Sequence, residues 1–357
     1  MIFNEDLYQI MKKKIAFITG INGQDGSYLA NYLLKKKYIV YGLSRRTSNY
    51  KFQRLKYLKI FNKIKIIYGD ITEYEFFSNV IKKIKPDLLF NLAAQSFVDY
   101  SFDNKFTTYE VNTKAVYNIL ETIKNFSKNT KFYQASTSEM FGNSKEKFQD
   151  ENTEFNPISP YAISKVSAHD LVRIYRNSFG VHATSGILFN HESPLRGPEF
   201  VTKKIISSLV RIKFNNDRPV ELGNLNSYRD WGYVEDYVEA MFKIINCSKA
   251  EDFVIGTGNT TSIMNFFKLA CKEIGFDPVF KNDRKYKYCF DRKSKKKIMQ
   301  INKKFFREKE LHYLKAKINK ANNILKWKPK TNLKQLIKIM VAYEIEKIKN
   351  PHDESFY

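Results

Sequence analysis

Tyr161 and Lys165, in the stretch 160-PYAISK-165, stand four residues apart. On a helix that spacing sets both side chains on one face. An ammonium beside a phenol favours the phenolate and draws the tyrosine pKa toward neutrality, so Tyr161 becomes a proton-transfer group. A second set of reactive side chains lies upstream in 134-QASTSEMFG-142. There Thr137 follows an apolar run and offers a hydroxyl that can orient a substrate oxygen. Glu139, two residues on, offers a carboxylate for a second proton transfer.

The elements that must hold these groups are legible as alternating patterns. The apolar runs Lys14–Thr19, Ile39–Leu43, Ile64–Tyr68, Leu88–Leu92, Lys131–Ala135 and Thr184–Leu188 read as strands. Ser27–Lys36 and Thr107–Phe126 read as amphipathic helices between them. Short apolar strands spaced by helices form βαβ units and a parallel sheet covered on both faces. A punctuated loop, 190-NHESPLRGPEF-200, then leads into a helix, and 252-DFVIGTG-258 reads as one more strand returning to the sheet. The expected fold is α/β, a Rossmann-type doubly wound parallel sheet with a smaller, discontinuous C-terminal lobe.

The first strand runs into 19-TGINGQDGSYLA-30, with Gly20, Gly23 and Gly26 in a G-x-x-G-x-x-G spacing. A glycine turn between a strand and a helix lets backbone N–H groups and the helix N-terminus approach a pyrophosphate. The second strand ends in 41-YGLSRRTS-48. Sites preferring NAD carry an acid here; Arg45 and Arg46, followed by Thr47 and Ser48, suit a 2′-phosphate instead and point to NADP. Asp70, in 69-GDIT-72, is placed to accept from an adenine amino group. In 91-NLAAQS-96, small Ala93 and Ala94 let the backbone pass close to a nicotinamide.

With these residues the chain resembles the extended short-chain dehydrogenase/reductases. Within them it resembles the GDP-mannose 4,6-dehydratase family. The matching stretches are 20-GINGQDGSYLA-30, 133-YQASTSEMFG-142, 186-GILFNHESPLRG-197, 200-FVTKKI-205, 223-GNLNSYRDWG-232 and 236-DYVEAM-241. The resemblance runs from Lys14 to about Lys347 and implies cofactor contacts from Gly20, Asn22, Gly23, Gln24, Asp25 and Gly26. Further cofactor contacts are implied for Arg45–Ser48, for Asp70 and Ile71, and for Leu92, Ala93, Ala94, Gln95 and Ser96. Thr107, Lys165, His191 and Arg196 complete that set. It implies substrate contacts from Ser138, Asn190, Val201, Lys204, Arg229, Arg307 and Glu310 to a GDP-sugar. Residues 12–190 and 230–260 are then expected to bind NADP, and 191–229 with 261–350 the sugar nucleotide.

The reaction implied is GDP-α-D-mannose to GDP-4-dehydro-6-deoxy-D-mannose and water. Thr137, Glu139, Tyr161 and Lys165 are its catalytic residues, and Glu139 is what a simple dehydrogenase or epimerase lacks. An alternative is a 4,6-dehydratase of another nucleotide sugar, such as a GDP-heptose. The chain also departs from the family: 307-REKELH-312 keeps Arg307 and Glu310 but loses a Pro and an Asp, Leu314-Lys315-Ala316 replaces Leu-Gly, and Asn112 stands where many relatives have Asp. Relatives form dimers or tetramers, so a homodimer or homotetramer is expected.

Composition narrows the rest. The chain has 357 residues, 43% of them hydrophobic, and no run of 18 apolar residues, so no membrane span is expected. The segment 1-MIFNEDLYQI-10 has no apolar core of a signal peptide and reads as an extension, with Met11 as an alternative start. Cys247, Cys271 and Cys289 are scattered without C-x-x-C, which argues against disulfides and a metal site and suits a reducing cytoplasm. The net charge of +24 is spread along the whole chain, densest in 294-SKKKIMQINKKFF-306, without a nucleic-acid-binding motif. A phosphate-bearing small molecule is the expected partner, rather than nucleic acid.

Overall fold

The structure is a computed structural model that describes residues 13–48, 52–282, 287–306, 311–353 and 356. Seven strands form the main sheet: β1 (Ile15–Thr19), β2 (Ile39–Ser44), β3 (Lys65–Tyr68), β4 (Leu88–Asn91), β5 (Lys131–Thr137), β6 (Ala183–Leu188) and β11 (Asp252–Ile255), in the order β11-β6-β5-β4-β1-β2-β3. The pairs β1–β2, β2–β3, β1–β4 and β4–β5 are parallel. This is the expected doubly wound sheet, and 252-DFVIGTG-258 does supply its last strand. The order reverses between β1 and β4, so β1 leads on to β2 at one side and β4 to β5 at the other. Open α/β sheets bind ligands at such a switch point.

By contact the chain divides into two compact units. The first takes in Met1–Ser136, Ser159–Gly186 and Met241–Asp252. Its core joins Phe17 and Leu89 of the sheet to Phe77 and Ile81 of helix Tyr74–Ile84, and to Ile119, Leu120 and Ile123 of helix Ala115–Phe126. All four residues of β4, Leu-Leu-Phe-Asn, are buried, because helices cover both faces of a parallel sheet. Helix Pro160–Phe179 starts where Ser159 accepts from the Ala162 N–H, with Pro160 in its first turn. It stops at Gly180, whose positive φ of 67° lets its N–H return to the Tyr175 carbonyl.

The expected helix Thr107–Phe126 is not uniform. It runs as α-helix Lys105–Tyr109, a π-helical turn Glu110–Lys114, then α-helix Ala115–Phe126. Two neighbours in this turn reach one partner: Asn112 Nδ2 donates to Ser164 Oγ at 3.0 Å and Thr113 Oγ1 to the Ser164 carbonyl at 2.9 Å.

The second unit takes in Thr137–Ile158, Ile187–Ala240 and Phe253–Tyr357. It holds a four-stranded sheet in the order β13-β14-β15-β8, from Pro278–Asn282, Lys287–Asp291, Lys297–Ile301 and Val220–Leu222. Helices Val201–Asn215, Ile263–Ile274 and Leu333–Lys349 contribute Ile205, Leu209, Phe266, Phe267, Leu336 and Met340 to a core that also buries Trp231. Short strands β7 (Asn190–Glu192) and β10 (Trp231–Tyr233) pair in parallel, and β9 (Tyr228–Arg229) pairs antiparallel with β12 (Thr261–Ser262).

The glycine turn after β1 is sterically tight. A Cβ on Gly26 would stand 2.3 Å from the Gly20 carbonyl oxygen and 2.9 Å from Ile21 Cα. Both are backbone atoms that cannot yield cheaply. Gly26→Ala should therefore open the turn and lower stability by about 1–3 kcal/mol, with loss of dinucleotide binding. Urea denaturation together with cofactor titration checks this; a variant with wild-type stability and binding would show that the turn is not under this constraint.

Candidate active site

In the first unit the dinucleotide cradle is built by backbone contact. Gly20 has φ 70°, and a Cβ there would lie 2.8 Å from Ala93 N and 2.9 Å from the Leu92 carbonyl. Thr19 Oγ1 accepts from the N–H groups of Leu92 and Ala93, each at 3.1 Å, and donates to Asn91 Oδ1 at 2.6 Å. The loops after β1 and β4 are thus fastened together at the switch point. Helix Gln24–Lys35 begins at Gly23 with no side chain capping its first turn. Its leading N–H groups and positive dipole end are of the kind that accept a phosphate. Asn22 Nδ2 donates to Ser44 Oγ at 2.8 Å, which ties the turn to the end of β2. These features fit a dinucleotide.

The remaining expected cofactor residues of this unit follow strand ends, apart from Thr107 in helix Lys105–Tyr109. Arg45, Arg46, Thr47 and Ser48 follow β2 and are exposed. Asp70 Oδ1 accepts from Thr72 N and Thr72 Oγ1, at 2.9 and 2.8 Å, and Ile71 is buried beside it. Gln95 is held by Asn112, through 2.9 and 3.0 Å bonds to its backbone, and its Nε2 donates to Thr108 Oγ1 at 3.1 Å. Thr107 is exposed, as is Ser96; the buried threonine of that turn is Thr108.

Tyr161 and Lys165 occupy one face of helix Pro160–Phe179, as their spacing requires. Lys165 is only 4% exposed. Its Nζ donates to the Ala135 carbonyl at 2.9 Å and lies 5.9 Å from the Tyr161 ring centroid. Burial pushes the Lys165 ammonium down from 10.5 to about 8, while the Asp25 carboxylate acts in the opposite direction. Asp25, from the glycine loop, is thereby coupled electrostatically to the Tyr161–Lys165 helix.

In the second unit Thr137 begins the turn that carries Glu139. Thr137 Oγ1 accepts from the Glu139 N–H at 3.2 Å, capping a 3₁₀ turn over Ser138–Phe141. That bond uses a lone pair of the hydroxyl and leaves its proton for another acceptor. Ser138 is buried and Glu139 half-buried.

The loop after β6 is braced from below. His191 stacks on Tyr237 with centroids 4.4 Å apart, and its Nδ1 faces the Phe189 carbonyl at 2.9 Å. The Arg196 guanidinium lies 3.4 Å over the Phe200 ring, and its Nε is 3.1 Å from Glu192 Oε2. Glu192, 1% exposed, also accepts from Thr202 Oγ1 at 2.6 Å. Lys203 donates to the Pro194 carbonyl at 2.5 Å and pairs with Glu344. Glu192, at the end of β7, and Lys203, in the first turn of helix Val201–Asn215, are supports that the sequence reading did not single out.

Val201 opens helix Val201–Asn215, and Lys204 sits 3.4 Å over the Phe305 ring, where burial lowers its pKa. Arg229 Nη1 donates to the carbonyls of Tyr228 and Leu311 at 2.9 and 2.8 Å. Its neighbour Asp230 is fully buried and accepts from Thr257 N, Thr257 Oγ1, Gly258 N and Ala316 N. Asn190 pairs with Trp231 between β7 and β10. Arg307 and Glu310 lie outside the described residues. Among the described residues no cluster of His, Cys, Asp or Glu could hold a metal ion, and no helix is long and apolar enough to cross a membrane.

The fold matches a solved dTDP-glucose 4,6-dehydratase from Bacillus anthracis in complex with NAD, with a TM-score of 0.77 at 20% identity, over 96% of this chain and 100% of that one. Sheet order, glycine turn and Tyr161–Lys165 helix together define a Rossmann-type α/β fold. A sequence model of the GDP-mannose 4,6 dehydratases matches residues 17–340. The GDP-mannose 4,6 dehydratase of Dictyostelium discoideum is 39% identical over 348 residues, which cover 95% of this chain and 98% of the relative. That of Drosophila melanogaster is 41% identical over 349 residues, 95% and 88% of the two chains. The chain belongs to the GDP-mannose 4,6-dehydratase family.

The buried lysine has a pH signature. Between about pH 8 and 10.5 the unfolded chain keeps a proton on Lys165 that the folded chain has released. The cost of burying the ammonium is therefore fully present below pH 8 and is relieved as pH rises through that window. Relative to Lys165→Met, the wild type should gain on the order of 3 kcal/mol between pH 7 and pH 10. Urea denaturation of both proteins at the two pH values measures it. A stability gap that does not change with pH would mean that Lys165 is solvated.

Proposed function

We propose that the protein is an NADP-dependent hydro-lyase that converts GDP-α-D-mannose to GDP-4-dehydro-6-deoxy-D-mannose and water, the opening step of a GDP-deoxysugar route. The observation that carries this reading is the 39% identity spanning 95% of the chain and 98% of a GDP-mannose 4,6 dehydratase. The preference for NADP rests on Arg45 and Arg46, whose exposed guanidiniums follow β2 where a 2′-phosphate needs paired donors. The reducing cytoplasm suits the free thiols of Cys247, Cys271 and Cys289.

In this mechanism Tyr161, as phenolate, takes the proton from the sugar O4, and Thr137 holds that oxygen with its hydroxyl. Lys165 keeps the Tyr161 pKa low and bonds the nicotinamide ribose. When bound, the nicotinamide supplies the reversible hydride exchange that removes hydride from C4 and returns it to C6. Glu139 removes the C5 proton, acidified by the C4 ketone, as the C6 hydroxyl leaves as water with a general acid supplying its proton, and a proton later returns to C5. Oxidation and reduction cancel, so no net redox change accumulates. Asn190, Val201, Lys204 and Arg229, with Arg307 and Glu310, take the GDP moiety; the Lys204 ammonium on the Phe305 face is suited to a diphosphate. His191 and Arg196 serve the cofactor. In this reading 12–190 with 230–260 serve NADP, and 191–229 with 261–350 the sugar nucleotide.

Incubation with GDP-mannose and catalytic NADP+, read by mass spectrometry, should give loss of one water without NADPH build-up. Glu139→Gln should lower turnover by on the order of 10²–10⁴ and stall the reaction after C4 oxidation, with NADPH accumulating to one equivalent per site. Folded, NADP-loaded protein that leaves GDP-mannose unchanged would sink the substrate assignment.

We also propose a homodimer or homotetramer. Phe106 is 89% exposed, and Tyr100, Phe102, Tyr109 and Tyr117 are exposed on the same run of helices. A cluster of this kind is the mark of an association surface. Phe106→Glu should lower the sedimenting mass; an unchanged mass would place the contact elsewhere.

A further inference from the structure

His169 lies on helix Pro160–Phe179 eight residues after Tyr161 and four after Lys165, so the three share a face. The β4–β5 ladder ends at Asn91↔Gln134. Ala135 and Ser136 therefore run past the last residue that β4 holds. Ala135 is the residue whose carbonyl receives the Lys165 ammonium, at 2.9 Å. There β5 is flanked by a strand on one edge only, by β6, and a side-chain tie adds to that support. His169 provides one: its Nδ1 is 3.2 Å from Ser136 Oγ.

The other side of the imidazole is anchored. His169 Nε2 is 3.6 Å from Asp252 Oδ2. Arg176 grips both Asp252 oxygens at 2.9 and 2.6 Å and also donates to the Ala183 carbonyl at 2.9 Å. Burial raises the Asp252 pKa, but the hydrogen bonds and charge of Arg176 outweigh it and hold the carboxyl below its ordinary value. The charged groups facing His169 are Asp252 from β11 and Asp170, Arg173 and Arg176 from its own helix; burial outweighs them and keeps the ring neutral. With Nε2–H directed at Asp252, Nδ1 accepts from the Ser136 hydroxyl. Serine, histidine and aspartate in this order are the components of an acyl-transfer triad. Here Ser136 is 4% and His169 6% exposed, so no substrate reaches the hydroxyl.

We propose that His169 is a positioning residue for Lys165, fixing the tip of β5 so that the Ala135 carbonyl stands where the buried ammonium needs its acceptor. The proposal rests on Lys165 serving Tyr161 in the reaction above. A carbonyl aimed at Lys165 favours its charged form; a displaced one does not. Loosening the tie therefore lets Lys165 lose its proton at lower pH, and less phenolate is available on the alkaline side.

The test uses the full chain as His169→Phe, His169→Gln and Ser136→Ala. Two readouts are followed: the ¹⁵N titration of Lys165 Nζ, which needs no turnover, and the pH dependence of kcat with GDP-mannose. His169→Phe should move the Lys165 midpoint down by about half a pH unit or more, and shift the alkaline limb of kcat with it, while KM changes less than about twofold. Ser136→Ala should do the same more weakly, and His169→Gln, which keeps a donor and an acceptor, should restore most of the wild-type profile. An unchanged Lys165 midpoint in both His169→Phe and Ser136→Ala overturns the proposal, even if stability falls. Should the wild type not turn over GDP-mannose, the substrate reading fails while the Lys165 titration still decides the role of His169.

Discussion

Placing an ammonium inside a folded chain is costly, and much of the first unit can be understood as the terms on which Lys165 tolerates it. Burial draws its pKa down to about 8, the Asp25 charge opposes that shift, and the Ala135 carbonyl accepts a hydrogen bond from the ammonium. A charged lysine close to losing its proton is the partner that lowers a neighbouring phenol without neutralising it permanently. The constraint spreads outward. The helix begins at Ser159 and presents Tyr161 and Lys165 on one face, β5 brings the Ala135 carbonyl to the ammonium, and Asn112 and Thr113 of the π-helical turn bond Ser164, next to Lys165 in the chain.

Asp25 joins this electrostatic arrangement to the dinucleotide cradle. It belongs to the same glycine turn whose backbone packs against Leu92 and Ala93 at the sheet's switch point. One short segment thus shapes the cradle and offsets the buried charge. The second unit follows another logic. There long side chains are braced by buried acids and aromatic faces: Arg196 by Glu192 and Phe200, Lys204 by Phe305, Lys203 by Glu344. Such bracing reduces the rotameric freedom that a flexible cation would otherwise lose on meeting a diphosphate.

Much of the frame was readable in the sequence. The runs Ile15–Thr19, Ile39–Ser44, Leu88–Asn91 and Ala183–Leu188 are strands within a residue or two of where apolar patterning sets them, because fully covered parallel strands must be apolar throughout. The glycine spacing and the Tyr161–Lys165 spacing were readable because each is a local geometric rule. The family was readable from long stretches such as 223-GNLNSYRDWG-232. The π-helical turn was not, since it answers to Ser164, some 50 residues away, rather than to any local pattern. Nor was Glu192, whose role depends on Arg196 and Thr202 closing over it.

The sequence by itself determined the class of fold, the family, and which side-chain types stand at each expected site, because these depend on periodicity, short spacings and long matched stretches. Only the tertiary structure decided the state of those side chains. That Lys165 is buried and loosely protonated, that Ser136, His169 and Asp252 form a sealed chain, and that Thr107 is exposed while Thr108 is buried all follow from which distant segments close over them. Dielectric environment and hydrogen-bond partners are properties of packed neighbours, and packing brings together residues that the order of the chain keeps apart.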